Sequence, residues 1–263
     1  MTEKEIWRQA LGLIDLTSLN GTDTYTKIAA MTEKVNRFHD VFPDYPLPAS
    51  ICVYPNFAST VASVRNDREL HVTVVGGCFP ASQSTLPVKV AECRGAVEDG
   101  ADEVDIVLAL NSFLEKRYDA ASREIVEIGK AVREVKGDVV LKVILETGAL
   151  AERGLIEDAS FLAMEAGADF IKTSTGKTSP AATPEAARIM CGCIGRYFQA
   201  TGRMVGFKPA GGISTPEDAV TYYGIVGDTL GEKWLDKRYF RFGASRMANN
   251  LLTALEGREV KYY

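Results

Sequence analysis

Three lysines interrupt apolar runs otherwise suited to the centre of a parallel sheet: Lys142 in Val-Leu-Lys-Val-Ile, Lys172 in Asp-Phe-Ile-Lys-Thr-Ser and Lys208 in Val-Gly-Phe-Lys-Pro. Each alone could snorkel its ammonium past the strand end to a surface carboxylate. Three on successive runs make that explanation strained, because clustered ammonium groups repel one another and are poorly solvated, which drives a lysine pKa toward neutrality. A lysine that is neutral near pH 7 is a nucleophile for carbonyl carbon, the entry to Schiff-base chemistry. Asp105 in Glu-Val-Asp-Ile-Val and Asp15 in Ile-Asp-Leu-Thr supply carboxylates for proton transfer and charge balance, and Asp15 serves equally well as a structural partner to a lysine. An internal repeat supports the grouping. Gly100-Ala101-Asp102-Glu103-Val104-Asp105 lies on Gly167-Ala168-Asp169-Phe170-Ile171-Lys172, so Asp105 and Lys172 occupy the same step of their strands and point the same way.

A second constellation suits an anion. Pro209-Ala210-Gly211-Gly212-Ile213 follows the run holding Lys208, and Gly243-Ala244-Ser245-Arg246 opens the last helical pattern. Glycines there let backbone N–H groups approach closely, and a helix N-terminus adds partial positive charge, together a seat for phosphate. Thr173-Ser174-Thr175-Gly176-Lys177 adds hydroxyls and a cation. Although Gly176-Lys177-Thr178 resembles the end of a nucleotide P-loop, the glycine that motif needs five residues earlier is here Ile171, so a P-loop is rejected. Cys52, inside Ile51-Cys52-Val53-Tyr54 with no histidine beside it in sequence, reads as a buried, inert thiol.

These groups need a frame. Short β-branched runs recur at 11–16, 50–54, 71–75, 103–108, 139–145, 169–173, 204–208 and 239–243, several apolar throughout as expected of strands covered on both faces. Helical patterns separate them. Ser122 precedes the stripe Ile125, Ile128, Val132 and Val135, with Gly137 as a stop, and Thr183-Pro184-Glu185 and Thr215-Pro216-Glu217-Asp218 are N-caps followed by proline and acids. Gly100 and Gly167 suit left-handed C-caps leading into strands. Eight strand–helix alternations without a linker predict a single-domain (β/α)8 TIM barrel over residues 1–263, with a mobile tail around 257–263. A doubly wound open sheet is the alternative, but the first strand leads into Leu19-Asn20-Gly21-Thr22-Asp23 rather than a Gly-x-Gly-x-x-Gly turn.

Composition narrows the rest. With 30 basic and 35 acidic residues, a net charge of −5 does not support a broad basic face for nucleic acid or anionic lipid. Two histidines, His39 and His71, far apart, argue against zinc hydrolysis, and Cys191 and Cys193 lack the spacing of a metal site. No metal or cofactor is expected. Five cysteines, an odd number and without a signal peptide, fit a reducing cytoplasm, and no apolar run approaches the roughly 18 residues of a membrane span.

The segments Phe170-Ile171-Lys172-Thr173-Ser174-Thr175-Gly176-Lys177, Gly206-Phe207-Lys208-Pro209-Ala210-Gly211-Gly212, Leu141-Lys142-Val143-Ile144-Leu145-Glu146-Thr147-Gly148 and Arg241-Phe242-Gly243-Ala244-Ser245 resemble the deoxyribose-phosphate aldolase family, and the likeness covers nearly the whole chain. The resemblance implies a metal-free class I aldolase interconverting 2-deoxy-D-ribose 5-phosphate with D-glyceraldehyde 3-phosphate and acetaldehyde, in deoxyribonucleoside catabolism. It makes Lys172 the Schiff-base lysine, Lys208 the neighbour that lowers its pKa and Asp105 the acid/base residue. It also places Cys52 near the substrate without an essential chemical role, and gives Gly176, Lys177, Gly211, Gly212, Gly243 and Ser245 to the phosphate; Asp15, Lys142, Thr175 and Arg246 are further candidates for substrate or phosphate binding from their own positions. Tyr263 matches a C-terminal tyrosine implicated in proton exchange. In one departure, Arg246 stands where the family carries a second serine, exchanging a hydroxyl for a fixed charge. A Schiff-base aldolase for another sugar phosphate, a metal-dependent barrel enzyme and a non-catalytic phosphosugar-binding barrel are the rival readings. Assembly into a homo-oligomer is left open.

Overall fold

Strands apolar on both faces need cover on both sides, and helices after each strand supply one side while closure of the sheet supplies the other. In the computed structural model, which describes residues 1–263, the strands are β1 (Ile14–Thr17), β2 (Ser50–Val53), β3 (His71–Gly76), β4 (Glu103–Val107), β5 (Val140–Ile144), β6 (Phe170–Lys172), β7 (Gly206–Lys208) and β8 (Phe242–Ala244). They pair in parallel in the order β7-β6-β5-β4-β3-β2-β1-β8, and bridges from Phe207 to Phe240 and from Ala210 to Gly243 close the ring. The sequential order with closure is that of a (β/α)8 barrel and excludes the open doubly wound sheet. No helix is long and apolar enough to cross a membrane.

Local chemistry explains both the matches and the shifts. Thr183 and Thr215 cap their helices, accepting from the N–H of Ala186 and Asp218, and Asp218 returns the bond to Thr215 as a capping box. Gly100 and Gly167 take φ of +103° and +99° at the helix-to-strand turns. The first strand starts at Ile14 because Leu11 belongs to the preceding helix Glu3–Leu11, which Thr2 and Glu5 cap reciprocally. Ser122 is not a cap: the helix already begins at Tyr118, with Asp119 in its first turn, and runs to Val135. The eighth strand begins at Phe242 rather than Tyr239, because the N–H groups of Tyr239 and Phe240 both close a turn on the carbonyl of Asp236 at 2.8 Å.

The internal repeat has a common structural task. Asp102 accepts from the N–H of Val72 on β3, and Asp169 from that of Leu141 on β5, at 2.8 and 2.9 Å; each carboxylate is also paired with cations, Arg65 and Lys136 in one case and Arg133 and Arg203 in the other. Fixing both strand entries alike aims Asp105 and Lys172 at the barrel interior.

Phe170 helps close the lower part of that interior, its ring 5.9 Å from Lys142 Nζ and 5.8 Å from the Arg241 guanidinium. It fits because its register partner is Gly206, where a Cβ would lie 2.4 Å from the ring. Gly206→Ala is expected to destabilise the fold by about 1–3 kcal/mol through overpacking, read as a lower midpoint in chemical denaturation.

Candidate active site

The three lysines expected to meet do meet, on one carboxylate. Register places Asp105 opposite Lys142 and Lys172 opposite Lys208, and Asp105 accepts from Lys142, Lys172 and Lys208 at 2.9, 2.8 and 2.8 Å. Asp15 takes Lys208 at 2.5 Å and Arg241 at 2.6 Å, with Lys142 at 3.6 Å. Glu103 lies two residues before Asp105 on the same strand face. It pairs with Lys142, with Arg241 at 2.8 Å and with His71 Nδ1 at 2.7 Å. Three lysines and Arg241 thus face three carboxylates, all buried, with the half-buried His71 on the outer side of Glu103.

A cation in a low-dielectric interior is disfavoured most where the fewest carboxylates surround it. That site is Lys172. Burial, the largest influence, pushes its pKa below the ordinary 10.5, Asp105 opposes the fall and Lys208 adds to it. The other two lysines are shifted the opposite way. Burial would depress them as well, but Asp105 and Glu103 outweigh it at Lys142, and Asp105 and Asp15 at Lys208, so both are held above 10.5. Burial would raise the carboxylates, yet Lys208, Arg241 and Lys142 hold Asp15 at about 2, and the three lysines hold Asp105 well below the usual range. Asp105 is therefore an ionised acceptor.

Above this network a cavity of about 250 Å³ opens at the C-terminal ends of the strands. Lys172 lies at its floor with 4% of its side chain exposed, whereas Lys142 and Lys208 are at 0%. Residues 175–177, 210–213 and 243–246 form its rim, so Thr175, Gly176, Lys177, Gly211, Gly212, Gly243, Ser245 and Arg246 all line it. Around that rim the N–H groups of Gly176, Gly211, Gly212, Ser245 and Arg246 donate to nothing else in the protein, and the last two precede the helix Met247–Glu256. Unspent donors at a helix N-terminus suit an anion. Gly211, at φ +85°, is required: a Cβ there would lie 2.9 Å from Gly176 Cα.

Several expected contributors sit elsewhere. Asp15, Lys142 and Cys52 lie beneath the cavity rather than on its wall, since each strand turns them into the interior. Burial pushes the Cys52 thiol up, and the residue packs with Leu19 and Val75 as an apolar filler. Thr175 offers no donor to a ligand, because both its N–H and its hydroxyl go to Glu146, at 3.1 and 2.5 Å. The tail is docked, not loose. Tyr263 stacks on Phe38 at 5.7 Å, and the N–H groups of Tyr262 and Tyr263 both donate to Asn249 Oδ1, holding the final residues outside the barrel. The Tyr263 hydroxyl is buried without a partner, burial pushes its pKa up, and it does not line the cavity. Glu103, Arg241 and Glu146 join the site beyond the residues expected from the sequence. Glu103 carries the same signature as the lysines, a charge in an apolar strand two residues from Asp105, whereas nothing local marks Glu146.

Comparison with known proteins agrees with this geometry. Residues 10–227 match the model of the DeoC/LacD family aldolases. A Caenorhabditis elegans protein named "Putative deoxyribose-phosphate aldolase" is 39% identical over 257 residues, 97% of this chain and 83% of that one. Among solved structures, "QR15, an Aldolase" superposes with a TM-score of 0.74 at 28% identity over 94% of this chain and 96% of its own. A Coccidioides immitis protein described as a "putative deoxyribose-phosphate aldolase" does so with 0.76 at 28% identity, over 94% and 86%. On the matched span, the identity and the shared barrel, the chain belongs to the DeoC/LacD aldolase family.

Proposed function

We propose that this chain reversibly cleaves 2-deoxy-D-ribose 5-phosphate to D-glyceraldehyde 3-phosphate and acetaldehyde through a Schiff base on Lys172. One observation carries the reading. Of the interior lysines, only Lys172 reaches the cavity and only its pKa is lowered, beneath a rim of unspent backbone donors suited to a phosphate. The family relatives described as deoxyribose-phosphate aldolases support the choice of sugar.

In the synthetic direction the neutral Lys172 amine adds to the carbonyl carbon of acetaldehyde, and loss of water from the carbinolamine leaves an iminium. The iminium draws electrons from the neighbouring C–H bond, and a proton leaves the methyl carbon to Asp105, directly or through water. The resulting enamine attacks the aldehyde of glyceraldehyde 3-phosphate, whose oxygen takes up a proton. Water then hydrolyses the new iminium and returns the Lys172 amine. Lys208 and Lys142 stay protonated beside Asp105, keep it ionised and disfavour a proton on Lys172. The substrate phosphate sits on the N–H groups of residues 176, 211, 212, 245 and 246, with Lys177 and Arg246 supplying charge.

Incubating the protein with acetaldehyde and borohydride should leave an ethyl group on Lys172 by peptide mapping, while Lys172→Ala abolishes both adduct and turnover; an adduct on another lysine or none at all would refute the assignment. Lys208→Leu removes a cation that opposes protonation of Lys172 while Asp105 remains. The Lys172 pKa should rise, and the acid limb of kcat/KM should move alkaline by about one unit or more; an unchanged pH profile excludes the electrostatic role. Arg246→Ala should weaken use of the phosphorylated sugar and leave unphosphorylated 2-deoxyribose nearly untouched, and equal losses would show that Arg246 does not bind the phosphate.

A further inference from the structure

Glu146 is a carboxylate, 4% exposed, with no cation within ion-pair distance, at the edge of a site read here as an anion seat. An acid so placed repels the ligand across a short distance and costs desolvation. Its backbone is also in a left-handed conformation, φ +56° and ψ +58°, which is strained for a non-glycine residue. Two unfavourable features at one position call for a compensating task. Both carboxylate oxygens are engaged by one residue, Thr175, through its N–H and its hydroxyl. The hydroxyl oxygen in turn accepts from the N–H of Lys177 at 3.0 Å, so the chain Glu146, Thr175, Lys177 spans the loop after β6.

The backbone of the loop after β5 touches the same segment. Thr147 N–H donates to the Thr173 carbonyl at 2.9 Å, and a Cβ on Gly148 would lie 2.0 Å from the Pro180 carbonyl oxygen, so only glycine permits the approach. On its far side the β6 loop meets the β7 loop, where Thr173 Oγ1 accepts from Ala210 N–H at 3.0 Å and Gly211 abuts Gly176. The β6 loop is thus gripped from both sides, and Glu146 is the side-chain anchor on the β5 side.

We propose that Glu146 is a positioning residue for phosphate recognition: by occupying both donors of Thr175 it fixes the loop so that Gly176 N–H and Lys177 face the anion. The left-handed backbone turns the carboxylate onto Thr175, and the strain is retained for that purpose. This inference rests on the reading of the rim as a phosphate seat. Glu146 touches neither the interior lysines nor Asp105 in any recorded hydrogen bond or ion pair, so the covalent chemistry should be indifferent to it.

The test is steady-state kinetics on 2-deoxyribose 5-phosphate and on unphosphorylated 2-deoxyribose, with borohydride trapping of acetaldehyde as a separate readout. Glu146→Gly deletes the anchor and relieves the left-handed strain. It should raise KM for the phosphorylated sugar tenfold or more, with kcat, trapping at Lys172 and kcat/KM for 2-deoxyribose within twofold of the parent. Glu146→Gln, whose amide can accept from Thr175 N–H and donate to its hydroxyl oxygen, should recover most of the loss. Should Glu146→Gly not fold, Gly148→Ala pushes the same loop from the same side and should show the same selective rise in KM. Equal losses on both sugars, or no change on either, would overturn the positioning role. A parent enzyme that does not prefer the phosphorylated sugar would instead overturn the phosphate seat itself, and this inference with it.

Discussion

Asp105 holds three lysine Nζ atoms within 2.9 Å in the buried barrel interior, and the rest of the molecule is arranged to make that tolerable. Buried charges persist only where partners replace the water they lose. Asp15 and Glu103 provide the remaining negative charge, Arg241 ties those two together, and the Phe170 ring lies against both Lys142 and Arg241. Among the three lysines, Lys172 has a single carboxylate neighbour, and it is also the one at the cavity floor and the one whose pKa is lowered.

The site divides into two parts with different physics. Below the cavity floor, side chains of alternate strands build an ionic core whose members are mutually dependent, so that each pKa is a property of the whole set. Around the rim, backbone N–H groups without a partner in the protein sit on loops that hold one another. Gly211 meets Gly176 across one contact, while Glu146 and Gly148 grip the other side of the same loop.

The docked tail illustrates how tertiary contacts override a local reading. Lys261-Tyr262-Tyr263 has no helical or strand pattern of its own, and terminal residues without one are ordinarily loose. Phe38, Phe42 and Asn249 hold these tyrosines from elements more than 200 residues and about 14 residues away in sequence, so no window of sequence could show it.

What the amino-acid sequence determined by itself was the frame and the cast of the chemistry. Apolar runs at regular intervals, threonine–proline caps and two helix-ending glycines carry the barrel, because helix and strand periodicity are local properties. The lysines and Asp105 were legible for the same reason, since a charge in an apolar strand has few places to go. What only the tertiary structure decided was the hierarchy among them. Which lysine has its pKa lowered depends on distances to Asp15, Glu103 and Arg241, set by strand register and barrel closure. Whether Thr175 gives its hydroxyl to a ligand or to Glu146 depends on a left-handed turn at the end of a neighbouring strand. Coulomb energies and hydrogen bonds act over a few ångströms through space, and chain order records that proximity only where the fold happens to keep neighbours adjacent.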